Sequence, residues 1–274
     1  MTDRYAVIGN PVAHSRSPEI HAAFAAATGQ DIAYGRLLAP PDGFAAAVAR
    51  FSSEGGRGLN VTLPFKEEAW RLAATLSGRA RRAGAANTLR LDGATVHADN
   101  TDGPGLVADL QRIFDAPVAG LHILLLGAGG AARGVVPSLL ENGAASILVV
   151  NRSAARADAL VAAMAPDQAE RRVLSAQPAV PAGATFDLVI NATAASLGGA
   201  APDTPPGCLG AARLAYDMMY GHGDTPFMAR ARAEGARQVS DGLGMLVEQA
   251  AESFLLWRGV RPPTAAVLEQ LRRA

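Results

Sequence analysis

The sequence predicts an α/β fold, on three observations. Short apolar runs alternate with helical segments nearly from end to end, the pattern of strands joined by crossover helices. A glycine-rich turn, Gly127-Ala128-Gly129-Gly130-Ala131-Ala132, follows a continuous apolar run and opens a helix. With 274 residues, the chain is long enough for one large or two modest domains.

The elements can be placed in order. Tyr5–Gly9 reads as a strand. Ser17-Pro18-Glu19 opens a helix, with Pro at its first position and an acid in the first turn. Ile20, Ala23, Phe24 and Ala27 then share one face. Ala33–Leu38 and Leu59–Thr62 are strands, separated by a helix beginning near Asp42. Lys66–Leu76 reads as a helix, and Asn87–Leu91 and Thr95–Ala98 flank an Asp92-Gly93 hairpin turn. A second pattern begins with the strand His122–Leu126 and its glycine loop. It continues through strand Ile147–Val150, helix Ala154–Ala163, and strands Phe186–Ile190 and Leu214–Tyr216, with a Pro/Gly-rich loop from Gly198 to Gly207. Leu246, Ala250, Phe254 and Trp257 line one face of a final amphipathic helix. These patterns place a first domain up to residue 102 and a nucleotide-binding domain over 103–241, and leave the home of the last helix open.

Composition narrows the function classes. Basic and acidic residues number 25 each, so the basic excess needed to neutralise nucleic-acid phosphates is missing. An apolar share of 49% with 18% charged residues is globular composition. Cys208 is the only cysteine, which excludes an intramolecular disulfide and a Cys-rich metal site. The histidines, His14, His21, His97, His122 and His222, show no metal-ligand spacing, so no metal is expected. No apolar run reaches the ~18 residues of a membrane span, and no secretory signal opens the chain. A soluble cytoplasmic protein with no nucleic-acid or membrane partner is expected.

Gly127, Gly129 and Ala132 fit the G-x-G-x-x-G/A spacing of dinucleotide sites, where small residues permit a tight turn, approach of backbone N–H groups to a pyrophosphate, and close helix–strand packing. The next strand ends in Asn151-Arg152-Ser153, with Arg156 one turn on, where an NAD site places a carboxylate for the ribose 2′-hydroxyl. Two guanidiniums there favour a 2′-phosphate, hence NADP, although solvated surface arginines give the same pattern.

In the first domain, Ser15 and Ser17 flank a helix N-terminus suited to an anion, and Ser17 reads equally as a simple helix cap. Thr62 ends a strand and Lys66 follows at a helix start, where a cation opposes the helix dipole. Asn87 opens a hairpin strand, and Asp102 precedes a helix, where it too reads equally as a cap. Hydride exchange at a secondary alcohol needs a group to move the hydroxyl proton. A lysine oriented by a carboxylate is such a group, although a solvated Lys66 remains open.

These stretches together resemble the shikimate dehydrogenase family. The resemblance is carried by Tyr5–Pro11, His14–Pro18, Asn60–Lys66, Ala86–Thr88, Asp99–Gly103, the glycine loop, Asn151–Ser153, Asn191–Thr193, Tyr216–Tyr220 and Asp241–Met245. The resemblance implies an N-terminal α/β substrate domain (residues 1–102 and 242–274, with the last helix returned to it) and a Rossmann-type NADP-binding domain (103–241), separated by a cleft. It implies Lys66 as general acid/base with Asp102 beside it. Ser15, Ser17 and Tyr220 would take the substrate carboxylate, and Thr62, Asn87, Asp102 and Gln249 the ring hydroxyls. Gly127, Ala128, Gly129, Gly130 and Ala131 would cradle the NADP pyrophosphate. Asn151, Arg152, Ser153 and Arg156 would hold the 2′-phosphate and ribose, while Thr193, Met218 and Gly242 would lie near the nicotinamide. The implied activity is NADPH-dependent reduction of 3-dehydroshikimate in aromatic amino-acid biosynthesis, by a monomer or homodimer. An NAD-using quinate/shikimate branch, a non-catalytic NADP sensor and an enzyme of an altered ring are the rival readings. The sequence departs from the family at Arg16, Gly78, Ser153 and Ala194-Ala195-Ser196.

Overall fold

The computed structural model describes residues 2–221 and 223–273, so His222 lies outside the described residues. It divides into two compact units, residues 1–106 with 246–274, and residues 107–245.

The first unit runs through β1 (Asp3–Gly9), α1 (Ser17–Thr28), β2 (Ile32–Leu38), α2 (Phe44–Ser53), β3 (Gly56–Val61), α3 (Lys66–Leu72), β4 (Thr75–Leu76), α4 (Gly78–Ala83), β5 (Thr88–Asp92) and β6 (Thr95–Asp99) to the start of α5 (Asp102–Phe114). Its sheet has the order β2-β1-β3-β5-β6-β4. β2, β1 and β3 are parallel, whereas the β5–β6 hairpin enters antiparallel to β3. The ends of β1, β3 and β6 and the beginning of β5 therefore meet at one edge of the sheet. That edge gathers Asn10, Thr62, Asn87 and the 100–102 segment. Ile8, Phe44, Phe51, Leu59, Val61, Phe65 and Leu89 form the core, with Phe44 and Phe65 stacked at 4.9 Å.

The expected helix Lys66–Leu76 is corrected: it ends at Leu72. Ala73 is extended, the Ala74 N–H donates to Val96 O, and Thr75–Leu76 pair with His97–Ala98. The open edge of β6 takes the segment out of the helix, which local periodicity has no means of showing.

The second unit comprises β7 (His122–Leu126), α6 (Gly130–Glu141), β8 (Ser146–Val150), α7 (Ala154–Met164), α8 (Gln168–Val173), β9 (Leu174–Gln177), β10 (Leu188–Asn191), β11 (Leu214–Asp217), α9 (Pro226–Glu234) and β12 (Val239–Ser240). All its strand pairs are parallel, in the order β12-β11-β10-β7-β8-β9. The chain winds outward from β7 to β9, then returns to the other side of β7 at β10. This is the doubly wound arrangement, in which ligands bind beyond the strand ends where the winding reverses. α10 (Leu243–Arg258) and α11 (Ala265–Arg273) follow, and most of α10 belongs to the first unit. There the Trp257 indole donates to Leu89 O at 3.0 Å and fills the space over Gly58, where any Cβ would lie 2.5 Å from it. Among the described residues, no helix is long and apolar enough to cross a membrane.

His21 on α1 is fully buried, has no well-formed hydrogen bond to either ring nitrogen among the described residues, and stacks on Tyr34 at 4.1 Å. Burial brings its pKa from 6.5 down to about 3, opposed only in part by the neighbouring Asn60. Because the unfolded chain binds this proton more readily, the site costs nothing above about pH 6.5 and destabilises the fold progressively as pH falls towards 3. Between pH 7 and pH 5 this one group is expected to remove about 2 kcal/mol. Urea unfolding at both pH values checks this: His21→Phe should lose less stability than the parent by about that amount.

Candidate active site

The serine pair stands at the start of α1. The reading of Ser17 as a helix cap is corrected: Arg16 occupies the capping position, no side chain fills it, and Ser17 is the first helical residue. The Ser15 hydroxyl instead donates to Ser17 Oγ at 3.1 Å. Arg36 holds the loop from behind, donating to Ser15 O from Nε and Nη2 at 3.0 and 2.6 Å. Ser15 Oγ also accepts the Ser17 N–H at 3.3 Å, and two hydroxyls at a helix N-terminus have the polarity that suits an anion.

Lys66 is the first residue of α3, and its Nζ lies 2.6 Å from Asp102 Oδ2. Asp102 does not act as a cap either. Asn100 Oδ1 accepts the Asp102 N–H at 3.1 Å, which leaves the carboxylate free for Lys66. Its other oxygen, Oδ1, accepts from Asn87 Nδ2 at 2.8 Å. The buried Asn87 amide also faces Gln249 Oε1 at 3.1 Å and Thr101 Oγ1 at 2.9 Å, while its oxygen accepts the Thr101 N–H at 2.7 Å. Gln249 is held by its own donation to Leu246 O at 2.8 Å. Gly105 admits it: a Cβ there would stand 2.6 Å from the Gln249 backbone nitrogen. Thr62 packs on the end of β1, where a Cβ on Gly9 would lie only 2.3 Å from its methyl group.

Sequence reasoning missed the groups behind this cluster. Arg79 forks onto Asp99 at 2.6 and 3.1 Å and reaches Glu252 at 3.3 Å. Burial pushes the Asp99 carboxyl up, but the hydrogen bonds from Arg79 and Ser77 outweigh it and hold the pKa below the ordinary value. This anchors the start of the segment that carries Asp102. Asn60, Thr88, Thr101 and Ser253 are also buried there. Ser253 had a signal in the sequence, since it lies four residues beyond Gln249 within an apolar helix face.

In the second unit, Gly127 takes φ +109 and its N–H donates to Val150 O at 2.8 Å. Gly129 caps α6 without a side chain, and a Cβ on Gly129 or Gly130 meets nothing within 4 Å. The Gly127–Ala131 turn thus presents a bare helix N-terminus to open space, a shape and polarity that fit a pyrophosphate. Arg152, Ser153 and Arg156 are exposed, and neither arginine makes an ion pair among the described residues, so both are free for a phosphate. Asn151 braces the turn by donating to Ser153 O at 2.9 Å. Thr193 is oriented by Asn191 Oδ1, which accepts its hydroxyl at 2.7 Å and its N–H at 3.0 Å. Met218 and Gly242 pack together, a Cβ on Gly242 lying 2.3 Å from Met218 O. The buried Asp217 carboxylate gathers these loops, accepting from Asn191, Ser196, Met219 N–H and Thr225. Tyr220 follows in the same unit and is half-buried, whereas Ser15, Ser17, Thr62, Lys66, Asn87, Asp102 and Gln249 all belong to the first unit. No cluster of metal-ligating side chains occurs among the described residues.

A doubly wound dinucleotide-type unit and a sheet edge bearing a lysine–carboxylate pair define an α/β chain built for a dinucleotide and a small polar molecule. Residues 7–89 match the family described as shikimate dehydrogenase substrate binding domain, residues 109–198 that described as shikimate/quinate 5-dehydrogenase, and residues 242–272 the shikimate 5'-dehydrogenase C-terminal domain. The chain is 60% identical to the shikimate dehydrogenase (NADP(+)) of Aromatoleum aromaticum, over 99% of this chain and 97% of that protein. It is 57% identical to that of Dechloromonas aromatica, over 99% and 98%. A solved shikimate 5-dehydrogenase of Thermus thermophilus, in complex with NADP(H) and shikimate, superposes with a TM-score of 0.85 at 32% identity, over 99% of each chain. The chain belongs to the shikimate dehydrogenase family.

Gly127 combines left-handed backbone with a confined site, since a Cβ would lie 3.0 Å from the Thr193 methyl group and 3.1 Å from Ala192 O. Gly127→Ala is expected to cost about 1–3 kcal/mol, measured as a lowered urea midpoint against the unchanged effect of Ala at the open Gly130.

Proposed function

We propose that this chain is an NADP-dependent shikimate dehydrogenase, reversibly reducing 3-dehydroshikimate to shikimate on the route to chorismate and the aromatic amino acids. One observation carries the catalytic assignment. Lys66 is the only lysine among 25 basic residues, and it contacts a buried carboxylate at 2.6 Å. Arginine serves at every other cationic position, but a guanidinium does not release its proton in proteins, whereas an ammonium does. The chain keeps its one lysine where proton transfer needs it.

In this reading, Ser15 and Ser17 bind the substrate carboxylate at the start of α1, with Tyr220 at the same end. Thr62, Asn87, Asp102 and Gln249 hydrogen-bond the ring hydroxyls. NADPH held by the second unit would supply hydride-donor chemistry for reduction of the C3 carbonyl. Lys66 donates a proton to the carbonyl oxygen as its charge develops, and in the reverse direction takes the hydroxyl proton back. Asp102 keeps Nζ aimed and balances its charge. The Gly127–Ala131 turn holds the pyrophosphate, Asn151, Arg152, Ser153 and Arg156 hold the 2′-phosphate and ribose, and Thr193, Met218 and Gly242 border the nicotinamide. The substrate domain in this reading is residues 1–102 with 242–274, and the NADP domain residues 103–241.

Initial rates with shikimate or quinate, each with NADP+ or NAD+, test the substrate and cofactor together. Fast turnover with shikimate and NADP+ alone is expected, and comparable rates with quinate or NAD+ would move the chain to the broader branch. Lys66→Ala is expected to lower kcat by about 10²–10⁴-fold with little change in KM, and Lys66→Arg to restore none of it. Near-normal turnover in either variant would refute the role. Arg152→Ala is expected to raise the KM for NADP+ by about 10- to 100-fold, the loss of one charge-assisted contact, while leaving that for NAD+ unchanged.

A further inference from the structure

Behind the Lys66–Asp102 pair lies a chain of hydrogen-bond donors, half-buried at Tyr34 and buried from Asn60 onward, leading to the opposite end of the site. The Tyr34 hydroxyl, on β2, donates to Asn60 Oδ1 at 2.7 Å. Asn60 Nδ2, on β3, donates to Ser253 Oγ at 2.9 Å and Thr88 Oγ1 at 3.2 Å, and faces Asn87 O at 3.3 Å. That carbonyl fixes the amide's orientation, because a turned-over Asn60 would oppose two oxygens there. Thr88 in turn donates to Asn87 Oδ1 at 3.1 Å, and Asn87 Nδ2 donates to Asp102 Oδ1 at 2.8 Å. Ser253, which also reaches Thr88 at 2.8 Å and Gln249 O at 3.1 Å, ties α10 into the same chain.

Donors follow one another from Tyr34 through Asn60, Thr88 and Asn87 to the carboxylate that holds Lys66, and the Thr88 hydroxyl also lies 2.8 Å from Ser253 Oγ and 3.3 Å from Thr101 Oγ1. Tyr34 is the first donor of the series. Its phenol keeps its proton, since burial raises its pKa well above the ordinary value against a smaller opposing effect of the Ser17 hydroxyl. Its ring is clamped by the parallel stack on His21, 4.1 Å away at 5°. Without this donor Asn60 Oδ1 loses its 2.7 Å contact and the amide is held from its nitrogen side alone, by Asn87 O, Ser253 and Thr88, which loosens Thr88 on Asn87.

We propose that Tyr34 is a positioning residue for the reaction, acting through Asn60 and Asn87 to hold Asp102, and thereby Lys66, in its working orientation. This rests on the dehydrogenase reading given above. Tyr34 also neighbours Ser17, so two routes of action are distinguishable: through Asn60 it changes kcat, through Ser17 and the substrate carboxylate it changes KM.

The test is Tyr34→Phe, which keeps the stacked ring and removes only the hydroxyl, assayed for shikimate oxidation with NADP+ alone and in the Asn87→Ala background. The expected result is a kcat lowered about tenfold, the equivalent of one hydrogen bond, with KM for shikimate within about twofold. In the Asn87→Ala background the same change should add less than about twofold, because the link it acts through is already cut. An unchanged kcat, a rise in KM alone, or an equal loss in both backgrounds would overturn the proposal. Ser253→Ala, which releases Asn60 from the opposite side, is assayed in parallel and should show the same split, so the result does not depend on one variant folding. An inert wild type would refute the dehydrogenase reading together with this one, whereas an active wild type with an indifferent Tyr34→Phe and Ser253→Ala would refute this one alone.

Discussion

The carboxamide of Asn87 is the group on which the first unit's buried hydrogen-bond cluster depends. It is buried at the start of β5, its oxygen takes the Thr101 N–H, and its nitrogen faces Asp102, Thr101 and Gln249. One side chain thus joins the hairpin, the segment entering α5, and α10. Three acceptors share two amide protons, so the site is close to saturated in hydrogen bonds. In a buried setting a lost partner costs about 1–3 kcal/mol, which makes such a cluster cooperative: its members keep their geometry together or lose it together.

This constraint accounts for features elsewhere in the unit. The segment bearing Asp102 is pinned from outside by the Arg79–Asp99 fork. α10 reaches the cluster only because Gly105 has no side chain. Asn100 takes the capping work at α5, so Asp102 is spared for Lys66. A lysine at a helix N-terminus opposes the helix dipole. Glu67 and Glu68 in the same turn, with the Asp102 carboxylate, compensate for that placement.

The second unit follows a different principle, in which backbone amides rather than side chains face open space. Parallel strands bring the ends of β7, β10 and β11 together, and the loops beyond them are drawn in by Asp217, which has four hydrogen-bonding partners. Around that fixed frame the Gly127–Ala131 turn exposes bare amides, and Arg152 beyond β8 and Arg156 in the first turn of α7 are exposed and make no ion pair among the described residues. A rigid, charge-poor cradle beside two free guanidiniums suits a ligand that carries its own phosphates.

The α/β class, the glycine turn, the hairpin and the one misplaced cation were all legible in the sequence, because each rests on local chemistry: apolar period, backbone freedom, and a charge set against a dipole. The site residues were readable as types in order, not as a network. Ser17 and Asp102 both looked like caps, and only the folded chain shows Arg16 and Asn100 in the capping roles. The helix expected to run to Leu76 stops at Leu72, and β12 and β9 went unseen, because strands of two to four residues are made by the neighbour that accepts them. Both unit boundaries fall inside helices, α5 and α10, where no change of composition marks them. The sequence by itself determined which chemical groups are present and which backbone conformations are permitted. Which carboxylate meets the single lysine, and which amide holds that carboxylate, was decided only in three dimensions, because Lys66, Asn87, Asp102 and Gln249 are brought together by a mixed sheet and a returning helix across as many as 183 residues of chain (249 − 66).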